Sequence, residues 1–152
     1  MEIHPGGRFE VGKNVSILKD TLVIVHEGDT MRIDDDVFIS ENCLVSGNVT
    51  IGKNTLVALG TKIIAENHVF DDATRPIRLQ GGEKRPIVID EDVWIGASCV
   101  LLPGAIVSAH SIVAANSVVK GTIPAWSINA GSPAKTIKFR KHHHENSPNR
   151  FF

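Results

Sequence analysis

The sequence predicts an all-β fold built by stacking short strand–turn–strand units, and three observations carry that expectation. Aliphatic residues recur every six positions over most of the chain. The apolar residues are those that favour strands: Val and Ile predominate, Tyr is absent and aromatics make up 5%. Where the repeat breaks, Gly and Pro gather, which argues against a long regular element of another kind.

The repeat runs in three blocks. The first is Val11, Ile17 and Val23. The second is Ile33, Ile39, Val45, Ile51, Val57 and Ile63. The third is Ile89, Ile95, Leu101, Val107, Val113 and Val119. A period of six fits neither a helix at 3.6 nor a simple alternating strand at 2. It fits a short strand, a turn and another short strand, with the aliphatic side chain pointing inward. Four residues after the aliphatic the side chain is small or β-branched, as at Thr21, Cys43, Thr55, Thr61, Cys99, Ala105, Ser111 and Ser117. Asn14, Asn54 and Asn116 fall where a turn needs a left-handed residue, a conformation Asn and Gly adopt at low cost. One such unit has too little core to stand alone, so the units must stack.

The gaps between blocks locate insertions. From Val23 to Ile33 four residues are extra, and His26-Glu27-Gly28-Asp29 reads as a polar turn. From Ile63 to Ile89 a loop of about twenty residues, roughly 64–88, replaces one step between strands. It contains Arg75-Pro76 and Gly81-Gly82-Glu83-Lys84-Arg85-Pro86. Long loops in compact folds are usually functional. His68 stands at the start of this one, with Asp71 and Asp72 within reach to orient its ring. The plainer alternatives are a surface histidine, and acids that are solvated or paired with Arg75 and Arg78. Apart from the acids beside His68, the loop is net basic, so Arg75 and Arg78 are candidates for holding a negatively charged acceptor.

Composition bounds the rest. At 152 residues the chain fits one domain with a real core. A formal charge of −1 offers no single-sign field for nucleic acid or an anionic membrane. No apolar run approaches a membrane span, and Met1–Gly7 has neither a basic segment nor an apolar one, so a cytoplasmic protein is expected. Cys43 and Cys99 lack CxxC spacing and read as buried thiols. Three histidines, His142–His144, and a Phe pair, Phe151 and Phe152, lie in a polar tail, 141–152, expected to be flexible.

The hexapeptide pattern, the stretch Asp90-Glu91-Asp92-Val93-Trp94-Ile95-Gly96-Ala97 followed by Pro103-Gly104, and the ending Ala114-Ala115-Asn116-Ser117-Val118-Val119-Lys120 … Gly131-Ser132-Pro133-Ala134-Lys135-Thr136-Ile137-Lys138 carry a resemblance. The chain resembles the hexapeptide-repeat acetyltransferases, and within them the polysaccharide and sugar O-acetyltransferases. That resemblance implies a left-handed parallel β-helix of about five coils over 1–140, closed as a homotrimer with sites between subunits. It implies acetyl-CoA as acyl donor and no metal. His68 becomes the general base, Asp71 or Asp72 its orienting carboxylate, and the backbone N–H near Ala97 a donor to the acetyl carbonyl. Trp94, Ala115, Lys120, Lys135 and Lys138 become cofactor contacts. Asn67 matches the residue before the histidine. Ser40 stands where sugar acetyltransferases carry an acceptor-binding asparagine, so the acceptor is expected to differ from theirs. Acetylation of an amine, a zinc-binding β-helix of the carbonic-anhydrase type and an inactive scaffold are the alternatives.

Overall fold

The structure, a computed structural model, describes residues 1–141. The chain winds as a left-handed parallel β-helix with three flat faces. The first face stacks Glu2–Ile3, Leu22–Val25, Leu44–Ser46, Lys62–Ile64, Val100–Leu101 and Val118–Val119. The second stacks Arg8–Val11, Thr30–Ile33, Val49–Ile51, Ile87–Ile89, Ile106–Val107 and Thr122–Ile123. The third stacks Ser16–Ile17, Phe38–Ile39, Leu56–Val57, Trp94–Ile95, Ile112–Val113 and Ser127–Gly131. Each face therefore holds a strand from each of six coils, one more than the period alone suggests.

The extra coil comes from the two ends, where the repeat is irregular. Ile3 pairs with Val25 but is half exposed. In the last coil the step from Val119 to Ile123 is four residues, and Asn129 takes the place of an aliphatic, in register with Val113. Asn129 is fully buried, so its amide must be satisfied. Its Nδ2 donates to Ile112 O and Ser127 Oγ, and its Oδ1 accepts from Thr136 Oγ1 at 2.8 Å. Thr136 belongs to Ala134–Phe139, which folds back antiparallel on Ser127–Gly131.

Inward, the repeat does what its period implies. The aliphatic positions from Val23 to Val119 are each at most 2% exposed. Val11 is 54% exposed and Ile17 only half-buried, because they lie in the first coil with no coil beneath. Asn14, Asn54 and Asn116 adopt φ of 55°, 59° and 59° at the corners. Cys43 and Cys99 are free and buried. Between them in the same corner column lies Thr61, since Leu44 pairs with Lys62 and Lys62 with Val100. Two strand spacings of about 4.8 Å separate the thiols, too far for a disulfide.

Outward, the faces differ. Phe38, Leu56, Trp94, Ile112 and Ile128 form one in-register column on the third face. Leu22, Leu44, Lys62, Val100 and Val118 form another on the first. The second face points Arg8, Glu10, Arg32 and Thr50 outward and is more polar.

The long insertion leaves the prism at the corner between the first and second faces. It is a two-stranded arm, with Glu66–His68 antiparallel to Gly82–Lys84, and a single 3₁₀ turn at Ile77–Leu79 near its tip.

Candidate active site at the arm

The arm sets His68 at the end of a short strand, opposite Gly82. Its backbone N–H is held by Asn67 Oδ1 at 3.0 Å, which fixes the chain direction just before the ring. The ring itself is exposed. Between arm and prism lies a cleft of about 370 Å³, lined by Asn67, His68, Phe70, Asp71, Arg85 and Lys120, with Leu102 and Pro103 of the fifth coil as its wall. An open polar cleft with a histidine at its edge suits proton transfer to a bound small molecule.

The carboxylates near His68 have different positions. Asp72 Oδ1 accepts from Thr74 N at 2.9 Å and Thr74 Oγ1 at 2.6 Å, and these bonds lower its pKa from the ordinary carboxylate value. That carboxylate shapes the arm's turn. Asp71 lines the cleft with His68. Among the described residues neither carboxylate is hydrogen-bonded to the imidazole.

Lys120, on the sixth coil, lines the same cleft as His68, and among the described residues its ammonium makes no hydrogen bond or ion pair. Arg85 shares the cleft but is paired with Glu83 at 2.8 Å. Arg75 and Arg78 lie on the outer arm and do not line the cleft. Arg75 Nη2 donates to Leu79 O at 2.6 Å and so holds the tip's own turn. Neither arginine is ion-paired with Asp71 or Asp72.

The other predicted residues lie elsewhere on the protomer. Trp94 and Ser40 sit on the third face with Phe38 and Leu56, around a shallow depression. Ala97 and Ala115 stack at the corner between the third and first faces, where Asn116 N donates to Ala97 O at 2.9 Å. Among the described residues neither the amide N–H of Ala97 nor that of Ala115 donates to a backbone carbonyl. Lys135 and Lys138 are exposed on the antiparallel final strand. One protomer thus brings Asn67, His68, Asp71 and Lys120 together and leaves Trp94, Ser40, Ala97 and Ala115 on other surfaces.

Leu102 had no sequence signal as a site residue; Pro103 was visible only as part of a motif and Arg85 only as part of the loop's net basic charge, because they meet His68 through the arm's pairing. His26 and His110 are engaged elsewhere: His26 Nε2 lies 2.9 Å from Ser46 Oγ, and His110 Nδ1 2.9 Å from Asp92. Among the described residues no group of three His, Cys, Asp or Glu is placed to hold a metal ion. His142–His144, Phe151 and Phe152 lie outside the described residues. Among the described residues no helix is long and apolar enough to cross a membrane.

Residues 86–121 match the bacterial transferase hexapeptide (six repeats) family. A hexapeptide-repeat acetyltransferase of Vibrio cholerae, solved with acetyl coenzyme A, is 32% identical, with a TM-score of 0.76 over 86% of this chain and 70% of that one. The chain belongs to the hexapeptide-repeat acetyltransferases. It is 33% identical to a probable acetyltransferase of Mycobacterium tuberculosis over 93% of its own length and 48% of that protein's. It is 34% identical to WbbJ of Escherichia coli K12, a putative lipopolysaccharide biosynthesis O-acetyl transferase, over 80% of its own length and 63% of that protein's. The chain spans about half to two thirds of the length of these two curated relatives.

Proposed function

We propose that this protein transfers an acetyl group from acetyl-CoA to a hydroxyl of a sugar, in a surface polysaccharide or its precursor, with His68 as general base. The observation that carries the reading is the exposed imidazole on the arm, at the edge of a cleft that the unpaired Lys120 also lines. The Vibrio cholerae relative bound to acetyl coenzyme A supports the donor, and the name of WbbJ supports an oxygen acceptor on a saccharide.

The chemistry asks little beyond this. The acceptor hydroxyl gives its proton to the His68 ring as its oxygen bonds to the acetyl carbon. The carbon–sulfur bond then breaks with its electron pair on sulfur, and the imidazolium returns the proton there. A base that titrates near neutrality suits this role. Thiolate leaves readily, so no covalent enzyme intermediate is needed. Holding both substrates in one groove supplies much of the remaining acceleration. In this reading Asp71, which lines the cleft, steadies the imidazolium, and Asp72 keeps the arm's turn.

The free amides of Ala97 and Ala115 suit a developing oxyanion or a pantetheine carbonyl, and exposed Lys135 and Lys138 suit phosphates. These lie on surfaces away from His68, so the working site needs a second copy. The third face's apolar column and the first face's column, apolar apart from Lys62, leave two adjacent faces for neighbours and the more polar second face for water. A cytoplasmic homotrimer, with the first face of one protomer against the third face of the next, carries Trp94 and Ser40 to the neighbour's arm.

The test is release of coenzyme A thiol from acetyl-CoA in the presence of neutral sugars, acidic sugars and amino sugars, as monomers and polymers. Transfer to a hydroxyl, shown by an acetyl ester on the product, upholds the reading. Transfer only to amines overturns it, and light scattering that gives a monomer removes the shared site.

A further inference from the structure

The four-residue insertion in the second coil meets the arm. Asp29, in that insertion, is 6% exposed, a carboxylate almost wholly withdrawn from water. Its Oδ1 lies 3.2 Å from Lys84 Nζ. Lys84 Nζ also donates to the carbonyl of Glu27, in the same insertion, at 3.0 Å. Lys84 ends the returning strand of the arm, where it pairs with Glu66, while His68 pairs with Gly82 in the same two-stranded ladder. The insertion is itself rigidly placed: Asp29 N donates to His26 O at 3.0 Å, and Arg8 N donates to Asp29 O at 2.9 Å.

Asp29 packs against the arm's root. A Cβ at Gly47 would meet Ala65 Cβ at 3.0 Å and Asp29 Oδ2 at 3.6 Å, so the missing side chain lets root and carboxylate close together. Ala65 is the residue from which the arm departs, and Arg85 N donates to Ala65 O as the arm returns. Yet Asp29 Oδ2 has no hydrogen-bond partner among the described residues. A buried carboxylate with one oxygen unsatisfied is a poor device for stability, since an apolar pair of similar volume does as well or better. Such a pair is better suited to fixing one geometry among several.

We infer that Lys84 and Asp29 are positioning residues for His68, and that the insertion 26–29 is the anchor that sets the arm's height over the cleft. The pair acts through the ladder: Lys84 holds its strand, and the strand holds Glu66–His68 by backbone hydrogen bonds. This rests on the reading of His68 as the base, but the anchor itself can be measured without it.

The experiment compares the wild-type chain with Lys84→Met, Asp29→Asn and Lys84→Arg by amide hydrogen exchange and by trypsin cleavage after Arg78, the arm arginine not followed by proline. Lys84 is partly exposed, so Lys84→Met leaves the prism folded, and Asp29→Asn removes the charge at nearly constant volume. In Lys84→Met and Asp29→Asn we expect exchange at 66–69 and 81–84 to rise about tenfold or more, with Val100–Leu101 and Ile112–Val113 unchanged. Lys84→Arg restores most of the protection. Arm exchange within twofold of wild type in Lys84→Met, or an equal rise in every coil, overturns the anchor. In acetyl-CoA thiol release with the best acceptor of the panel, Lys84→Met lowers kcat and leaves the acetyl-CoA KM unchanged, and it adds no further loss to His68→Ala. A loosened arm with undiminished turnover overturns the positioning role. Full transfer by His68→Ala alone defeats the catalytic reading instead and leaves hydrogen exchange to judge the anchor.

Discussion

His110 Nδ1 lies 2.9 Å from Asp92 Oδ2, and Arg140 Nη1 reaches the same oxygen at 3.1 Å. The His110 ring also stacks on Trp126, with centroids 4.1 Å apart. Through this cluster the end of the antiparallel final strand is tied to the corner between the second and third faces. The hydrogen bond from His110, and then Arg140, hold the Asp92 carboxyl below its ordinary value. A depressed carboxylate contributes stability above its unfolded pKa, about 3.9, and the contribution is lost as pH falls through the lower folded value. Asp92→Asn should therefore lower Tm near neutrality and flatten its decline below about pH 4. Melting curves across that range check this, and identical acid limbs in both proteins refute it.

The base is tested by its removal. His68→Ala should fold and assemble as wild type, because the ring is exposed and its backbone N–H keeps the bond to Asn67 Oδ1. Turnover should fall by about a hundredfold or more, the usual contribution of a general base. Steady-state kinetics beside a melting curve separate the two effects. Activity within a few-fold of wild type would move the base elsewhere.

Lys120 discriminates donor from acceptor. It shares the cleft with His68 and makes no ion pair among the described residues. If it contacts the acyl donor's phosphates or amides, Lys120→Glu raises the acetyl-CoA KM severalfold and spares kcat, because such a contact is equal in ground and transition states. The same pattern is expected of Lys135→Glu. A rise confined to the acceptor KM for Lys120→Glu would assign that residue to the acceptor.

Both thiols should be silent in the native protein. Cys43 and Cys99 are buried, and burial pushes their pKa values up, which disfavours the reactive thiolate. Cys99 Sγ lies 3.1 Å from Ala114 O, inside the prism. An aromatic disulfide reagent should label neither until denaturant is added. Fast labelling of either in the folded state would contradict the packing.

The prism was legible because its information is local and periodic. Each aliphatic from Val23 to Val119 could be placed inward from spacing alone, and Asn14, Asn54 and Asn116 marked corners by side-chain type. The irregular ends were less legible: Asn129 replaces an aliphatic with an amide satisfied by Ile112, Ser127 and Thr136. Left-handed Ser98, His110 and Trp126 carry no Asn or Gly signature. The arm was visible as a break in period, which singled out His68. Its pairing was not, since the cross-strand match of His68 with Gly82 and the contact of Lys84 with Asp29 join segments with no shared repeat. For the same reason the sequence singled out Arg75 and Arg78 among the loop's cations, whereas Arg85 is the loop arginine that lines the cleft with His68 and Lys120.

The corner that carries Ala97 and Ala115 makes the last prediction. Gly96 precedes Ala97, and a Cβ there would sit 2.5 Å from Ala115 N and 2.9 Å from Ala114 C. Those are backbone atoms, so no side-chain rotation relieves the clash, and the Ala114–Ala115 turn must move. Overpacking of this kind costs about 1–3 kcal/mol. Gly121 is the control: its φ is +88°, but nothing lies within 4 Å of an added Cβ. Gly121→Ala therefore bears backbone strain alone, about 1–2 kcal/mol. The two substitutions can cost similar stability, yet only Gly96→Ala displaces amides proposed to face the acyl donor. It should weaken acetyl-CoA binding about tenfold or more by calorimetry on folded protein, while Gly121→Ala leaves that affinity near wild type. Equal affinities in the two variants would take the donor away from this corner.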